Sequence, residues 1–180
     1  MRHVVVPRRV LPTKRLVLRP TSSADAHRAF DIRSDWNVAR MLRLASFPPD
    51  AEEMERWFDG HEREWLQGQA YRFAIEFQGR MIGLVDIDGV SGDEGHLGYW
   101  LERPAWGHGY ALEAARAVVR FAFQEVGLSR LKAGHAIDNP ASGRVLTRLG
   151  FSPVDSIECF SRPRGENIVQ CRYLLASNPT

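Results

Sequence analysis

The sequence predicts a single α/β domain, and three observations carry that prediction. A chain of 180 residues amounts to one domain at ~150 residues per domain, long enough to bury roughly 70% of its unfolded surface. Tyr71, Phe73, Ile75 and Phe77 alternate with Arg72, Ala74 and Glu76, and the run Met81 to Ile87 after the Gln78-Gly79 turn reads as the returning strand. Helical periodicity replaces this pattern after residue 50 and again after residue 110. With 44% hydrophobic and 26% charged residues, the composition is that of an ordinary globular chain and excludes disorder or collagen.

Taken in order, Arg15 to Arg19 alternates and stops at Pro20, as a first strand would. Helical stretches follow at about 24–33 and 38–42, and Pro48-Pro49 closes that region. Asp50 opens a longer helix to about residue 67, with Glu53 three residues on as in a capping box. Its apolar positions Met54, Trp57, Phe58, His61 and Trp65 recur every three to four residues, so one face is buried. After the hairpin at 71–87, Ser91 to Gly95 reads as a loop and His96 to Leu101 as a third central strand. Gly98 within that strand marks a place where another group approaches closely. The helix from Tyr110 to Val126 stops at Gly127; its Leu112, Ala115, Val118, Val119 and Ala122 point inward, and Glu113, Arg116, Arg120 and Gln124 outward. Leu131, Ala133, His135 and Ile137 alternate as another strand. Asn139 suits an N-cap and Pro140 the first position of a short helix that Gly150 ends. Strands near 154–160 and 168–175 complete the chain. Residues 1–11 are expected to be an N-terminal extension and 12–180 the domain.

Composition also narrows function. A net charge of +2 is no electrostatic footprint for nucleic acid, and the basic residues Arg8, Arg9, Lys14, Arg15 and Arg19 read as a solvated surface. No apolar run approaches the ~18 residues of a membrane helix, and the opening Met1 to Pro7 is too short for a signal peptide, so the cytoplasm is the expected location. Cys159 and Cys171 lack CxxC spacing and are expected as free thiols. Six histidines show no ligand spacing, so no metal is expected. No GxSxG elbow supports a serine hydrolase.

The most telling segment is Trp106-Gly107-His108-Gly109-Tyr110-Ala111, between the third central strand and the long helix. Two glycines let the backbone turn tightly and present consecutive amides. The helix behind adds unpaired N–H groups and the positive end of its dipole, a place for a phosphate or pyrophosphate. Neither the Walker loop nor the dinucleotide fingerprint matches, since Leu112 stands where the latter needs its third glycine. Alone, such a segment fits a structural turn as well as an anion site.

It does not stand alone. The run from Gly98 to Ala114 resembles the acyl-CoA-binding core of the GNAT N-acetyltransferases. Asp138 to Phe151 resembles the family's following N-x-x-S…L-G-F segment, and Thr13 to Pro20 is similar to the start of its ribosomal-protein N-terminal acetyltransferase branch. The resemblance covers about residues 12–175. It implies a GNAT fold, with a mixed central sheet splayed open between the third central strand and the strand at 130–137. It implies acetyl-CoA as cosubstrate, its pantetheine along the backbone of Tyr99, Trp100 and Leu101 and its pyrophosphate on the amides of Trp106, Gly107, His108, Gly109, Tyr110 and Ala111. Asn139 caps the short helix and, in the family's reading, touches pantetheine. Ser142 and Arg144 complete the cofactor set, with Arg148 one turn beyond. Pro104 stands where the family usually has Gln or Arg, which removes one N–H; Arg103 or Arg144 compensates electrostatically.

The implied reaction moves acetyl to a primary amine, a protein or peptide N-terminal α-amine. An α-amino group with a pKa of ~8 is already partly neutral, so a base has a modest task. His96 is the first candidate, where the branch often carries a glutamate; Asp86, Asp88 and Glu158 follow. Leu146 replaces the tyrosine many relatives use as acid, and Ser142 is the candidate for hydrogen bonding the thiolate. Trp36, Trp57 and Phe160 are candidates for an apolar pocket wall. A small amine as acceptor and a non-catalytic acyl-CoA sensor are the alternatives. Expected partners are acetyl-CoA and the amine, without nucleic acid or membrane, in a monomer or homodimer.

Overall fold

Strand alternation puts one set of side chains on each face of a sheet, and helices must then cover whichever face is apolar. The computed structural model describes residues 5–177. The first four residues of the expected 1–11 extension therefore lie outside the described part. Eight strands form one sheet: β1 (Leu11–Pro12), β2 (Val17–Pro20), β3 (Tyr71–Phe77), β4 (Arg80–Ser91), β5 (Glu94–Leu101), β6 (Arg130–Ala136), β7 (Ser152–Ser161) and β8 (Glu166–Ala176). The helices are α1 (Ala26–Arg33), α2 (Trp36–Ala39), α3 (Ala51–Leu66), α4 (Tyr110–Phe121) and α5 (Pro140–Leu149). Strand order is β1-β2-β3-β4-β5-β6-β8-β7.

Every neighbouring pair is antiparallel except β5 and β6, which run parallel. That pair touches only through Glu94 with Arg130, Gly95 with Leu131 and His96 with Lys132. Beyond these residues β5 stays with β4 as far as Leu101 and β6 stays with β8 as far as Ala136. The sheet therefore parts at His96, with five residues of β5, Leu97 to Leu101, and four of β6, Ala133 to Ala136, facing a gap.

Packing explains the helices. α4 buries Ala114, Ala115, Val118 and Phe121; the alanines permit close approach and Phe121 reaches an aromatic cluster with Trp65, Tyr71 and Phe73 at centroid distances of 5.3 to 5.8 Å. Leu112 and Val119, expected inward, are only half-buried. A second core packs Ala29, Ile32, Met54 and Phe58 from α1 and α3 against Ala74, Leu84 and Trp100. Asp50 caps α3 by accepting from the Glu53 amide at 2.8 Å; the Glu53 carboxylate turns to Arg162 instead of completing the box.

Three differences from the sequence reading have tertiary causes. The expected loop at 91–95 shrinks to a tight turn, because Glu94 and Gly95 extend β5 to pair with β6, where Arg130 and Lys132 hold Glu94 at 2.7 and 2.6 Å. The long helix is α-helical only to Phe121 and widens into a π turn over Ala122–Val126, closed by the Leu128 amide donating to the Ala122 carbonyl. Arg72, which alternates with the apolar positions of its strand, is 8% exposed because helices cover both faces of β3. Ahead of β1, Val6 is buried and its carbonyl accepts from Trp65 Nε1 at 2.8 Å, so this part of the extension packs against α3.

Candidate active site

The gap between β5 and β6 widens into a cleft of about 910 Å³. One end is built by the glycine turn. Gly107 and Gly109 have φ of +78° and +79°, a left-handed backbone that costs other residues roughly 1–2 kcal/mol. A Cβ at Gly107 would meet nothing within 4 Å, so open space lies over the amides that precede α4. Arg15 braces the turn. Its Nη1 donates to the His108 carbonyl at 2.8 Å, its Nε to Glu113 Oε2 at 2.7 Å, and its guanidinium carbon lies 4.6 Å from the Tyr110 ring centroid. Partial burial pushes the Glu113 carboxyl up, but hydrogen bonds from Thr13 Oγ1 and from the Arg15 amide and side chain outweigh it and hold it below the usual range.

Most of the expected cofactor residues line this cleft: Tyr99, Trp100 and Leu101 on β5, Trp106, Gly107, Gly109, Tyr110 and Ala111 at the turn, and Asn139, Ser142 and Arg144 at the start of α5. His108 does not. Its exposed ring stacks on Tyr110 at 5.4 Å, and its carbonyl is held by Arg15. Arg103, expected to offset Pro104, pairs with Asp35 at 3.0 Å; Arg144 and Arg148 remain in the lining. The Leu101 carbonyl accepts from Trp106 Nε1 at 3.0 Å. Asn139 does cap α5, accepting from the Ser142 amide at 3.4 Å.

Across the mouth of the gap, the Tyr99 hydroxyl lies 2.8 Å from Ser142 Oγ. Burial pushes the Tyr99 phenol up to about 12, so it carries its proton near neutrality. On β6, His135 Nδ1 faces the Ala136 carbonyl at 2.7 Å and Nε2 the Tyr173 hydroxyl at 3.2 Å.

The floor holds an ionisable cluster. Asp86 on β4 is paired in register with Gly98, and Asp88 with His96. A Cβ on Gly98 would sit 2.7 Å from Asp86 Oδ1, which is why that strand position is glycine. Asp86 is 6% exposed; burial, reinforced by the Asp88 charge, pushes its carboxyl up to about 7. Arg72 Nε stands 3.3 Å from Asp86 Oδ2 without hydrogen-bond alignment, and its Nη1 donates to Glu64 at 2.6 Å. Burial also opposes ionisation of Asp88, yet the hydrogen bond and charge of His96 keep it below the ordinary range. His96 Nδ1 is 3.6 Å from Asp88 Oδ1. This groups a carboxylate, an imidazole and a carboxyl near its titration point, a set able to accept a proton in a cleft.

Other candidates fall elsewhere. Glu158 and Phe160 are exposed on β7, and Trp36 packs on Phe47 at 4.8 Å; none of the three lines the cleft, while Trp57 does. Cys159 and Cys171 are free. Among the described residues, no group of three or more His, Cys, Asp or Glu could hold a metal, and no helix is long and apolar enough to cross a membrane. Arg33, Met41 to Ser46 and Arg72 also line the cleft, although the sequence singled none of them out individually. Of these only Arg72 left a signal, an arginine flanked by Tyr71 and Phe73 in a largely apolar strand.

Comparison with known proteins agrees with this geometry. The chain is 27% identical over 162 residues to the uncharacterized N-acetyltransferase p20 of Bacillus licheniformis, covering 88% of this chain and 90% of that one. The fold superposes on RimL, a ribosomal L7/L12 alpha-N-protein acetyltransferase in complex with coenzyme A, with a TM-score of 0.84 at 18% identity over 93% of this chain and 98% of the other. Mycobacterium smegmatis RimJ, in complex with CoA-disulfide, gives 0.82 at 22% identity over 93% and 87%. Residues 15–152 match the acetyltransferase (GNAT) domain family, and with that match spanning most of the sequence the chain belongs to the GNAT acetyltransferases.

Proposed function

We propose that this protein is an acetyl-CoA-dependent N-acetyltransferase whose acceptor is the α-amine of a protein or peptide N-terminus. One observation carries the reading. The parallel pair β5–β6 parts at His96, leaving one cleft with an amide-rich helix start at one end and the Asp86–Asp88–His96 cluster in its floor. The likeness to RimL, whose name specifies a ribosomal L7/L12 alpha-N-protein acetyltransferase, favours a peptide N-terminus over a small amine.

The residues present fit the cofactor. Gly107 leaves open space above its amides, and consecutive N–H groups at the start of α4 suit a pyrophosphate. Arg144 and Arg148 supply positive charge at the same mouth, offsetting the N–H that Pro104 lacks. The acetyl thioester supplies an acyl carbon already activated toward amines.

The chain's own part is proton handling. His96 accepts a proton from the ammonium or attacking amine on its ring nitrogen, and Asp88, 3.6 Å from Nδ1, orients the ring and stabilises the imidazolium. Ser142 Oγ donates a hydrogen bond at the leaving sulfur while accepting one from the Tyr99 hydroxyl. Asp86, near its titration point, is the second proton acceptor at hand.

Calorimetric titration with acetyl-CoA, against dephospho-CoA and NADH, followed by turnover assays on N-terminal peptides and polyamines, tests this directly. Micromolar, selective binding with peptide acetylation is expected. Binding without turnover of any amine would make the protein an acyl-CoA sensor.

A further inference from the structure

The cleft lining contains a cation with no salt-bridge partner among the described residues. Arg33, at the end of α1, lines the cleft, and its Nε is buried with no hydrogen-bond partner among the described residues. Its only polar contact there is Nη1 to the sulfur of Met54 at 3.9 Å. The guanidinium carbon sits 5.4 Å from the Trp57 ring centroid, and that of Arg72 lies at the same 5.4 Å from the same ring. One indole thus carries two guanidiniums in opposite circumstances. Arg72 is neutralised by Glu64 and Asp86. Arg33 makes no salt bridge among the described residues; Glu53, the carboxylate whose charge acts on it, is held by both terminal nitrogens of Arg162 at 2.5 and 2.9 Å.

Leaving a desolvated charge unpaired is expensive, and cation–π stacking returns only about 0.5–2 kcal/mol. A cation at a helix C-terminus is favoured by the dipole, yet that benefit is available to a side chain directed at water. Burial accordingly lowers the Arg33 pKa to about 10, which still leaves it charged at neutrality. A planar guanidinium with free donors is matched by a carboxylate.

The position bounds where that carboxylate would be. The two guanidinium carbons are separated by at most twice their distance to the indole, and Arg72 touches Asp86, the floor of the proton-handling cluster. An extended chain advances ~3.3–3.6 Å per residue, so an amine at the cluster places its own carboxylate, or the side chain of the next residue or two, over Trp57.

Resting on the acetyl-transfer reading, we propose that the acceptor is an amine bearing a carboxylate, and that Arg33, stacked on Trp57, is the residue that recognises it. The carboxylate belongs either to a Glu or Asp side chain just after a peptide N-terminus or to a free amino acid.

The test uses the full chain, saturated with CoA for binding and with acetyl-CoA for turnover, and two matched pairs: pentapeptides starting Ser-Glu or Ser-Gln, and serine against serinamide. Binding by calorimetry and acetylation by kcat/KM are both read. At least a tenfold preference for the carboxylate member of one pair is expected, falling below twofold in Arg33→Gln and partly restored in Arg33→Lys. The pair that shows it identifies the source of the carboxylate. Unchanged CoA affinity in both variants certifies folding. Equal binding of both members by the wild type, or a preference surviving in Arg33→Gln, overturns the assignment. Equal acetylation of both members overturns it while leaving acetyl transfer standing; a carboxylate preference in binding with no turnover overturns transfer alone.

Discussion

The Tyr99 hydroxyl and Ser142 Oγ, 2.8 Å apart, join β5 to the first turn of α5 across the opening of the sheet. The phenol also reaches the Ser142 carbonyl at 3.3 Å. The two residues lie 43 positions apart in the chain, so only folding brings them together. Tyr99→Phe removes the donor behind Ser142 while keeping the ring. We expect about a tenfold fall in kcat, little change in KM for acetyl-CoA, and a stability loss of about 1 kcal/mol. Steady-state kinetics with thermal melting checks this; an unaltered kcat would mean that Ser142 acts alone.

His96→Ala removes the proposed proton acceptor from its place opposite Asp88. Turnover should fall by roughly 10²–10⁴, with the acidic limb of the pH–rate profile changed in shape. Asp86→Asn is the control. Should it, rather than His96→Ala, abolish that limb, the buried carboxyl is the base.

Asp86 also makes a prediction about stability. Its folded pKa is raised to about 7 from an unfolded value of ~3.9, so between these values the folded chain holds a proton that the unfolded chain has lost. Stability from this group is therefore present at low pH and lost as pH rises through that window, by up to roughly 4 kcal/mol. His61, buried and pushed down to about 3, works in the opposite direction: as pH falls below ~6.5 the unfolded chain gains a proton that the folded one refuses. Comparing Asp86→Asn with wild type cancels the His61 contribution. The variant's melting temperature relative to wild type should climb from pH 4 to pH 8, and a gap constant with pH would rule the shift out.

Arg15 tests the brace behind the glycine turn. Arg15→Ala frees the His108 carbonyl and leaves Glu113 without its guanidinium. Affinity for acetyl-CoA should weaken by about tenfold through loss of order in the turn. Gly107→Asp, which adds both a Cβ at positive φ and a negative charge, should abolish binding altogether. Calorimetry reads both, and wild-type affinity in Gly107→Asp would remove the pyrophosphate from this turn.

Sequence by itself determined the elements and the helix starts. Asp50 and Asn139 cap the helices they were expected to cap, because a short polar side chain and the amides it satisfies are neighbours in the chain. Gly98 announced a close approach, which local pattern can do, but not that the group would be Asp86. Tertiary structure alone decided the rest. Glu94 became strand because Arg130 and Lys132 arrive from 36 residues later or more, and Arg72 was drawn inside because Glu64 and Asp86 receive it there. The pairing of Tyr99 with Ser142 and the isolation of Arg33 above Trp57 depend on which charges and donors long-range packing brings together. Periodicity records which face of an element is buried; it carries no record of what that face will meet.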